Sequence, residues 1–139
     1  MEYRELEKLF YSYKDIKKNI EINKTILESL KNEDGIKGIA YKETSSKTNK
    51  IYSITENAAI DNIEKEKQIK RWIIRDESKI KIMDNLLNSV DEVERKIIEL
   101  YYIENWPWWK VAQEVCYSET WCKEKRNRIM EELLSLIGE

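Results

Sequence analysis

The chain has 139 residues, of which 37% are charged, and it contains three glycines, one proline and no histidine. This composition favours helices joined by short loops over a β-sandwich, so we predict an all-α fold. The net charge of −2 excludes a polycation, and any contact with nucleic acid must therefore be local. Without histidine there is no Ser-His-Asp triad and no histidine metal ligand, and we expect neither an enzyme nor a cofactor or metal.

The sequence predicts a cytoplasmic protein with no membrane contact. The N-terminus opens directly into a charged, periodic segment, and no window reaches the roughly 18 apolar residues of a membrane span. Cys116 and Cys122 are too few for a disulfide framework and lack the second ligand pair that zinc needs. We expect two reduced, mostly buried thiols.

The first predicted helix extends from Tyr3 to Leu30. Apolar residues recur there at alternating steps of three and four, a heptad pattern with one polar position at Asn23. Ile22 and Ile26 widen this stripe, so the helix is expected to bury more than one flank. A polar segment without periodicity follows, and we predict a flexible connector at 35–54.

A second long helix is predicted to begin near Thr55, because Ser53 and Glu56 have the spacing of a capping box. From Ile69 to Val90 its apolar residues again alternate by four and three.

Two arrangements of the long helices are open. In an antiparallel hairpin with Leu30 near Ala59, Tyr13 would lie near Asp76, the polar position of the second seam. The alternative is an intermolecular coiled coil, and the two can coexist. Residues 1–88 are thus predicted to form a long helical hairpin or coiled coil for oligomerisation or partner binding.

Residues 89–139 are predicted to form a three-helix domain. Asp91 caps a third helix from about Glu92 to Glu104, Pro107 introduces a fourth over 108–115, and Ser118 caps a fifth over 119–136. A three-residue turn separates the last two helices, which is the spacing of a helix-turn-helix motif. The fifth helix carries basic residues suited to phosphate contact and Thr, Asn, Glu and Arg suited to base contact.

The stretches Ser89–Ile103, Trp108–Val115 and Tyr117–Ser118 resemble the region-four DNA-binding domain of sigma factors. They are still closer to the phage-encoded ArpU/RinA-type transcriptional regulators, whose connector exit is similar to Ser53–Ala59. The resemblance implies sequence-specific binding of double-stranded DNA. It further implies a phage or prophage regulator that activates late genes for packaging or lysis, with RNA polymerase as a further partner.

Carried over by position, the resemblance also implies which residues contact DNA. Base contacts would come from Thr120, Lys123, Glu124 and Asn127, a phosphate contact from Arg126, and a backbone contact from Lys110. The remaining implied DNA-binding residues are Ser118, Trp121 and Arg128. Lys125 and Arg128 lie at positions that often face the core in such domains and reach phosphate only with their tips.

Two departures from this family pattern predict an altered DNA interface. Pro107 stands where a Ser or Thr usually caps the fourth helix. Cys116 stands where glycine commonly supplies a left-handed residue, so we expect strain or a remodelled turn.

The tryptophans predict packing and partner surfaces. Trp108 is expected to lock the fourth helix against the third. Trp109 and Trp121 are expected to be partly exposed, either for a partner or packed on the hairpin. Trp72 lies off its seam and would mark a dimer interface or a dock for the DNA-reading domain.

Two other function classes compete with the regulator. One is a small-terminase-like component of phage DNA packaging, which predicts a ring-forming oligomer. The other is a helical interaction module that does not bind DNA. Since one helix-turn-helix module buries only roughly 600–1,000 Å² on DNA, we expect a homodimer or higher oligomer through the long helices, or contacts supplied by RNA polymerase.

Overall fold

A computed structural model describes residues 1–32 and 58–138. All regular structure in these residues is helical, which confirms the all-α prediction. Six α-helices are described: α1 (Tyr3–Tyr11), α2 (Tyr13–Lys31), α3 (Ala58–Asn88), α4 (Glu92–Ile98), α5 (Trp108–Val115) and α6 (Glu119–Ile137). A π-helical turn, Glu99–Ile103, continues α4. The predicted connector at 35–54 and the capping box of Ser53 and Glu56 lie outside the described residues.

None of the helices in the described ranges combines the length and the apolar character needed to cross a membrane.

The first helix is interrupted at Ser12, so the prediction of one continuous helix from Tyr3 to Leu30 was wrong. Ser12 has φ −89° and ψ 3°, outside the helical values of its neighbours. Its hydroxyl donates to the carbonyl of Lys8 at 2.6 Å and approaches that of Leu9 at 3.1 Å. A serine that bonds the carbonyl of the preceding turn competes with the helical ladder and bends it.

The helices divide into two compact units. The first contains Met1–Lys17 and Ser78–Glu139, and the second contains Lys18–Glu77. Within the first unit, α1 packs on α6 and on the π-helical turn. This division groups both Met1–Lys17 and the end of α3, residues 78–88, with residues 89–139, whereas the sequence predicts a boundary between residues 88 and 89.

An apolar core connects α4, α5 and α6. Its buried centre consists of Ile97, Val111, Ala112 and Cys122. The partly buried residues around it are Val93, Leu100, Tyr101, Trp106, Trp108, Val115 and Trp121. Trp108 stacks on Tyr101 with ring centroids 3.9 Å apart, which confirms its predicted packing between the fourth helix and the third.

The N-terminal helix completes the core of the first unit. Leu6 and Phe10 lie one turn apart on α1 and have no exposed surface. The Phe10 ring stacks on that of Tyr102, which is itself 1% exposed. Tyr13, expected near Asp76, instead donates its hydroxyl to Asp84 at 2.7 Å, two turns further along α3. The predicted pairing of Tyr13 is therefore corrected.

The second unit buries the predicted seam of α3. Ile69, Ile73 and the polar Asp76 are all buried, as the heptad pattern predicts. Ile22 and Ile26 on α2 are 50% and 42% exposed, so the prediction that they widen the buried stripe was wrong. Both point away from the seam, and a 3–4 periodicity buries one face only.

Candidate nucleic-acid interface

Three residues join α5 to α6. Cys116 adopts the left-handed conformation, with φ 63° and ψ 37°. The N–H groups of Cys116 and Tyr117 both donate to the carbonyl of Ala112, which closes the end of α5. The tight turn therefore forms without glycine, at a cost of roughly 1–2 kcal/mol for a residue with a Cβ in this conformation.

The two helices of this pair begin differently. α5 begins after Pro107, which has no side chain that can cap it, as the sequence predicts. α6 begins after Ser118, whose Oγ accepts the N–H of Trp121 at 3.1 Å and confirms the predicted cap. Because a hydroxyl both accepts and donates, the O–H of Ser118 remains able to meet an anion at this end of α6.

One face of α6 is polar and exposed to solvent. Thr120, Lys123, Glu124 and Asn127 follow one another at helical spacings of three, one and three, which puts them on a common face. All four are exposed, and so is Arg128 beside them. Lys123 and Arg128 form no ion pair with any side chain in the described ranges. Their charges are thus available to an external partner.

Arg126 is turned inward and does not join this exposed face. Its side chain is 17% exposed, and Nη1 lies 3.2 Å from the Tyr102 hydroxyl and 3.9 Å from Oε2 of Glu7. The guanidinium also lies over the rings of Tyr101 and Trp108, at 5.4 and 5.2 Å from their centroids. A phosphate contact would require all these interactions to break. The predicted phosphate role of Arg126 is therefore corrected to an internal one.

Trp121 and Lys125 face α4 rather than the polar face. Trp121 is half-buried and stacks on Tyr117 with centroids 3.9 Å apart. Lys125 pairs with Glu94 at 3.4 Å, with its stem beside the Trp121 ring. The implied contact of Trp121 with DNA therefore has no support from its position. Its packing is on α4 and the turn, not on the long helices.

The start of α5 presents a cation and an aromatic ring. Lys110 is exposed, and its Nζ lies 4.1 Å from the centroid of the Trp106 ring. Trp109 is 57% exposed, which confirms its predicted exposure. A lysine that lies over an indole ring keeps its charge at the surface, so Lys110 remains able to contact the DNA backbone.

The two cysteines differ in exposure. Cys122 is fully buried, and burial raises the pKa of its thiol. Cys116 is exposed on the turn, so the expectation of two mostly buried thiols was wrong for this residue. It occupies the corner between two helices, where the side chain has no core to enter.

Sequence reasoning missed the part of α1 that reaches α6. The Tyr3 hydroxyl donates to Oδ1 of Asn127 at 2.9 Å, and Nε of Arg126 donates to the same oxygen at 2.8 Å. Tyr102 donates to Glu7 at 2.8 Å and accepts from Arg126. The pair of Leu6 and Phe10, one turn apart, was the only sequence signal that α1 has its own buried side.

The charge of the C-terminal helices is not basic overall. Residues 78–139 contain nine Lys and Arg against twelve Asp and Glu. The exposed face itself balances Lys123 and Arg128 against Glu124. Electrostatic attraction to a polyanion is therefore confined to a few side chains.

The described part of the chain is an all-helical protein with a helix, a three-residue turn and a capped second helix that exposes a polar face. The chain belongs to the family described as a protein of unknown function (DUF722), which matches residues 3–135. No curated protein and no solved structure matches the chain.

Proposed function

We propose that this protein is a sequence-specific regulator of transcription that binds double-stranded DNA through a helix-turn-helix formed by α5 and α6. The observation that carries the proposal is the exposed face of Thr120, Lys123, Glu124 and Asn127 on a helix that follows a three-residue turn. A recognition helix of this kind enters the major groove with its N-terminal half. The resemblance to ArpU/RinA-type regulators adds the proposal that it activates phage late genes.

The exposed groups match the donors and acceptors of base edges. Lysine bonds guanine O6 and N7, glutamate accepts from the cytosine amino group, and the threonine methyl contacts that of thymine. Lys110, Arg128 and the Ser118 hydroxyl would meet phosphates on either side of the groove. With so few cations, we expect a modest salt dependence, with a slope of about −2 to −3 in log K against log salt per subunit.

The long helices would bring two such modules together. Tyr13 of α2 contacts Asp84 of α3 within the first unit, and Lys24 of α2 contacts Glu77 of α3 at 3.4 Å within the second. Each contact joins the two helices within one chain and supports the hairpin alternative over a purely intermolecular coiled coil. Ile22, Ile26 and Trp72 remain exposed in the second unit. We propose that a second copy covers them, which would double the DNA surface of a single small module.

Selection from randomised DNA duplexes with the full-length protein tests the proposal. We expect one sequence to be enriched and to bind more tightly than a shuffled duplex at both low and moderate salt. Lys123→Ala should weaken binding to the enriched duplex by about tenfold. Lys81→Ala is the matched control, because Lys81 is exposed in the same unit and forms no ion pair within the described ranges. No enrichment, or equal binding by the two variants, would overturn the proposal.

The acidic balance of residues 78–139 favours one other function, a helical module that binds protein and not DNA. It predicts no salt-dependent affinity for any duplex in the same experiment. Sedimentation of the same sample separates a third possibility, since a packaging component would form a ring larger than a dimer.

A further inference from the structure

We propose that Tyr3 and Arg126 clamp the side-chain amide of Asn127 so that it faces DNA as a hydrogen-bond donor only. This inference rests on the proposed DNA-binding function and names a determinant of its sequence preference. It makes the N-terminal helix, α1, part of the surface that contacts the bases, although α1 lies more than a hundred residues before Asn127 in the chain.

The chemistry of the two partners fixes the orientation of the amide. An arginine N–H only donates, so the Asn127 atom that faces Nε of Arg126 at 2.8 Å must be the oxygen. The Tyr3 hydroxyl donates to the same atom at 2.9 Å. An amide oxygen has two lone pairs, and both are used here. The Nδ2 group, with its two hydrogens, is left for an external partner.

The clamp is itself held by a buried tyrosine, Tyr102, and a partly buried carboxylate, Glu7. Arg126 is anchored by the Tyr102 hydroxyl at 3.2 Å, and Tyr102 in turn donates to Glu7 at 2.8 Å. Burial raises the pKa of Tyr102, and the bond to Glu7 raises it further, so the hydroxyl stays protonated at neutral pH. Burial likewise raises the pKa of Tyr3, which preserves its donor. Glu7 and Tyr3 both lie on α1, so a single helix holds both sides of the clamp.

A donor-only amide has a defined base preference. The usual asparagine contact with adenine is bidentate, because the amide oxygen accepts from N6 while the amide nitrogen donates to N7. With its oxygen occupied, Asn127 cannot accept from adenine N6 or from cytosine N4. Guanine offers two acceptors, O6 and N7, whereas adenine offers only N7, thymine offers only O4 and cytosine offers none. The base that Asn127 contacts should therefore be guanine in preference to adenine or thymine, and cytosine should be the least favoured.

Removing one hydroxyl tests the clamp. Tyr3→Phe frees one lone pair of Oδ1, so Asn127 should gain the bond to adenine N6 and with it the full bidentate contact. Asn127→Ala first identifies the base position, since preference should be lost there alone in a selection from randomised duplexes. At that position we expect Tyr3→Phe to raise binding of adenine relative to guanine by about three- to tenfold. Tyr13→Phe is the control, because it removes a hydroxyl bond of 2.7 Å in the same unit without touching α6.

A measurement without DNA separates this proposal from the proposed function. The side-chain N–H₂ signals of Asn127, assigned by their loss in Asn127→Ala, should shift in Tyr3→Phe and not in Tyr13→Phe. If the wild type enriches no sequence, the proposed function fails, and these signals alone decide on the clamp. A wild-type preference for adenine or cytosine over guanine opposite Asn127, an unchanged preference in Tyr3→Phe, or unshifted amide signals would each overturn the clamp.

Discussion

The docking of α1 on the C-terminal helices makes a strong prediction about stability. Phe10 lies on α1, has no exposed surface and stacks on Tyr102. If residues 89–139 folded as an independent domain, replacing Phe10 by alanine would leave that domain unaffected. Because α1 belongs to the same compact unit, we expect Phe10→Ala to destabilise α4, α5 and α6 together.

The magnitude follows from the burial of the ring. Replacing a fully buried Phe by Ala removes its transfer free energy and leaves a cavity, which together cost about 3–5 kcal/mol. A domain of this size has about 5–15 kcal/mol of stability in total, so the loss is a large fraction. Leu6→Ala should cost about 2–5 kcal/mol by the same reasoning, although the two losses will not add because the residues touch the same core.

Urea unfolding followed by tryptophan fluorescence measures this loss of stability in the C-terminal helices. Four of the five tryptophans lie between residues 106 and 121, so the signal reports on α5, α6 and their turn. Leu136→Ala is the control, since it truncates a side chain of α6 that is 60% exposed and should change stability by less than about 0.5 kcal/mol. A loss below about 1 kcal/mol for Phe10→Ala would refute the docking of α1.

Three further predictions concern single side chains. Cys116→Gly should raise the free energy of unfolding by up to about 1 kcal/mol, because glycine adopts the left-handed conformation without the Cβ clash; a lower melting temperature would contradict this. A disulfide reagent should modify the exposed Cys116 in the native protein but reach Cys122 only in urea, and equal rates in native buffer would contradict the burial and raised pKa of Cys122. The contribution of Tyr102 to stability should be constant up to about pH 10.0 and then fall, because Tyr102 loses its proton near that pH only when unfolded and keeps it when folded. Tyr102 alone should supply a slope of about 1.4 kcal/mol per pH unit, so the alkaline loss of stability should be shallower by that amount in Tyr102→Phe, and urea titrations across that range would detect it.

Local signals were sufficient to predict the ends of the C-terminal helices. Asp91 accepts from the N–H of Glu94 at 2.8 Å, and Glu94 accepts from the N–H of Asp91 at 3.2 Å, so the capping box is formed as predicted. Pro107 and Ser118 also lie where their backbone preferences place them. Each of these features depends on residues within four positions along the chain, and such relations are visible in the sequence itself.

The contacts of α1 could not be predicted in this way. Tyr3 meets Asn127 across 124 positions, and Glu7 meets Tyr102 across 95. The heptad pattern continues through Ser12, so periodicity alone joined α1 to α2. The spacing of Leu6 and Phe10 indicates a buried side of α1, but no local pattern identifies the distant helix on which that side packs.

The sequence predicts that Arg126 faces outward from α6, whereas in the structure its side chain faces inward. It lies four residues after Cys122 and three before Ile129, both fully buried, so helical phase places it on the core side of α6. Its charge suggested an outward position, but aromatic faces, the Tyr102 hydroxyl and Glu7 together compensate the cost of burying a guanidinium. Helical phase is fixed by backbone geometry, whereas the position of a charge depends on the partners available. Helical phase therefore predicts the side on which Arg126 lies better than its charge does.

The choice of arginine at this position follows from the groups around it. An apolar side chain would fill the space between Tyr101 and Trp108, and burying an ion pair gains little stability over such a replacement. An apolar chain, however, has no N–H to donate to Asn127. Lysine would carry the charge but lacks the planar fork that donates to Tyr102 and to Asn127 at once. The geometry of Arg126 therefore makes better sense as a means of orienting a neighbouring amide than as a source of stability.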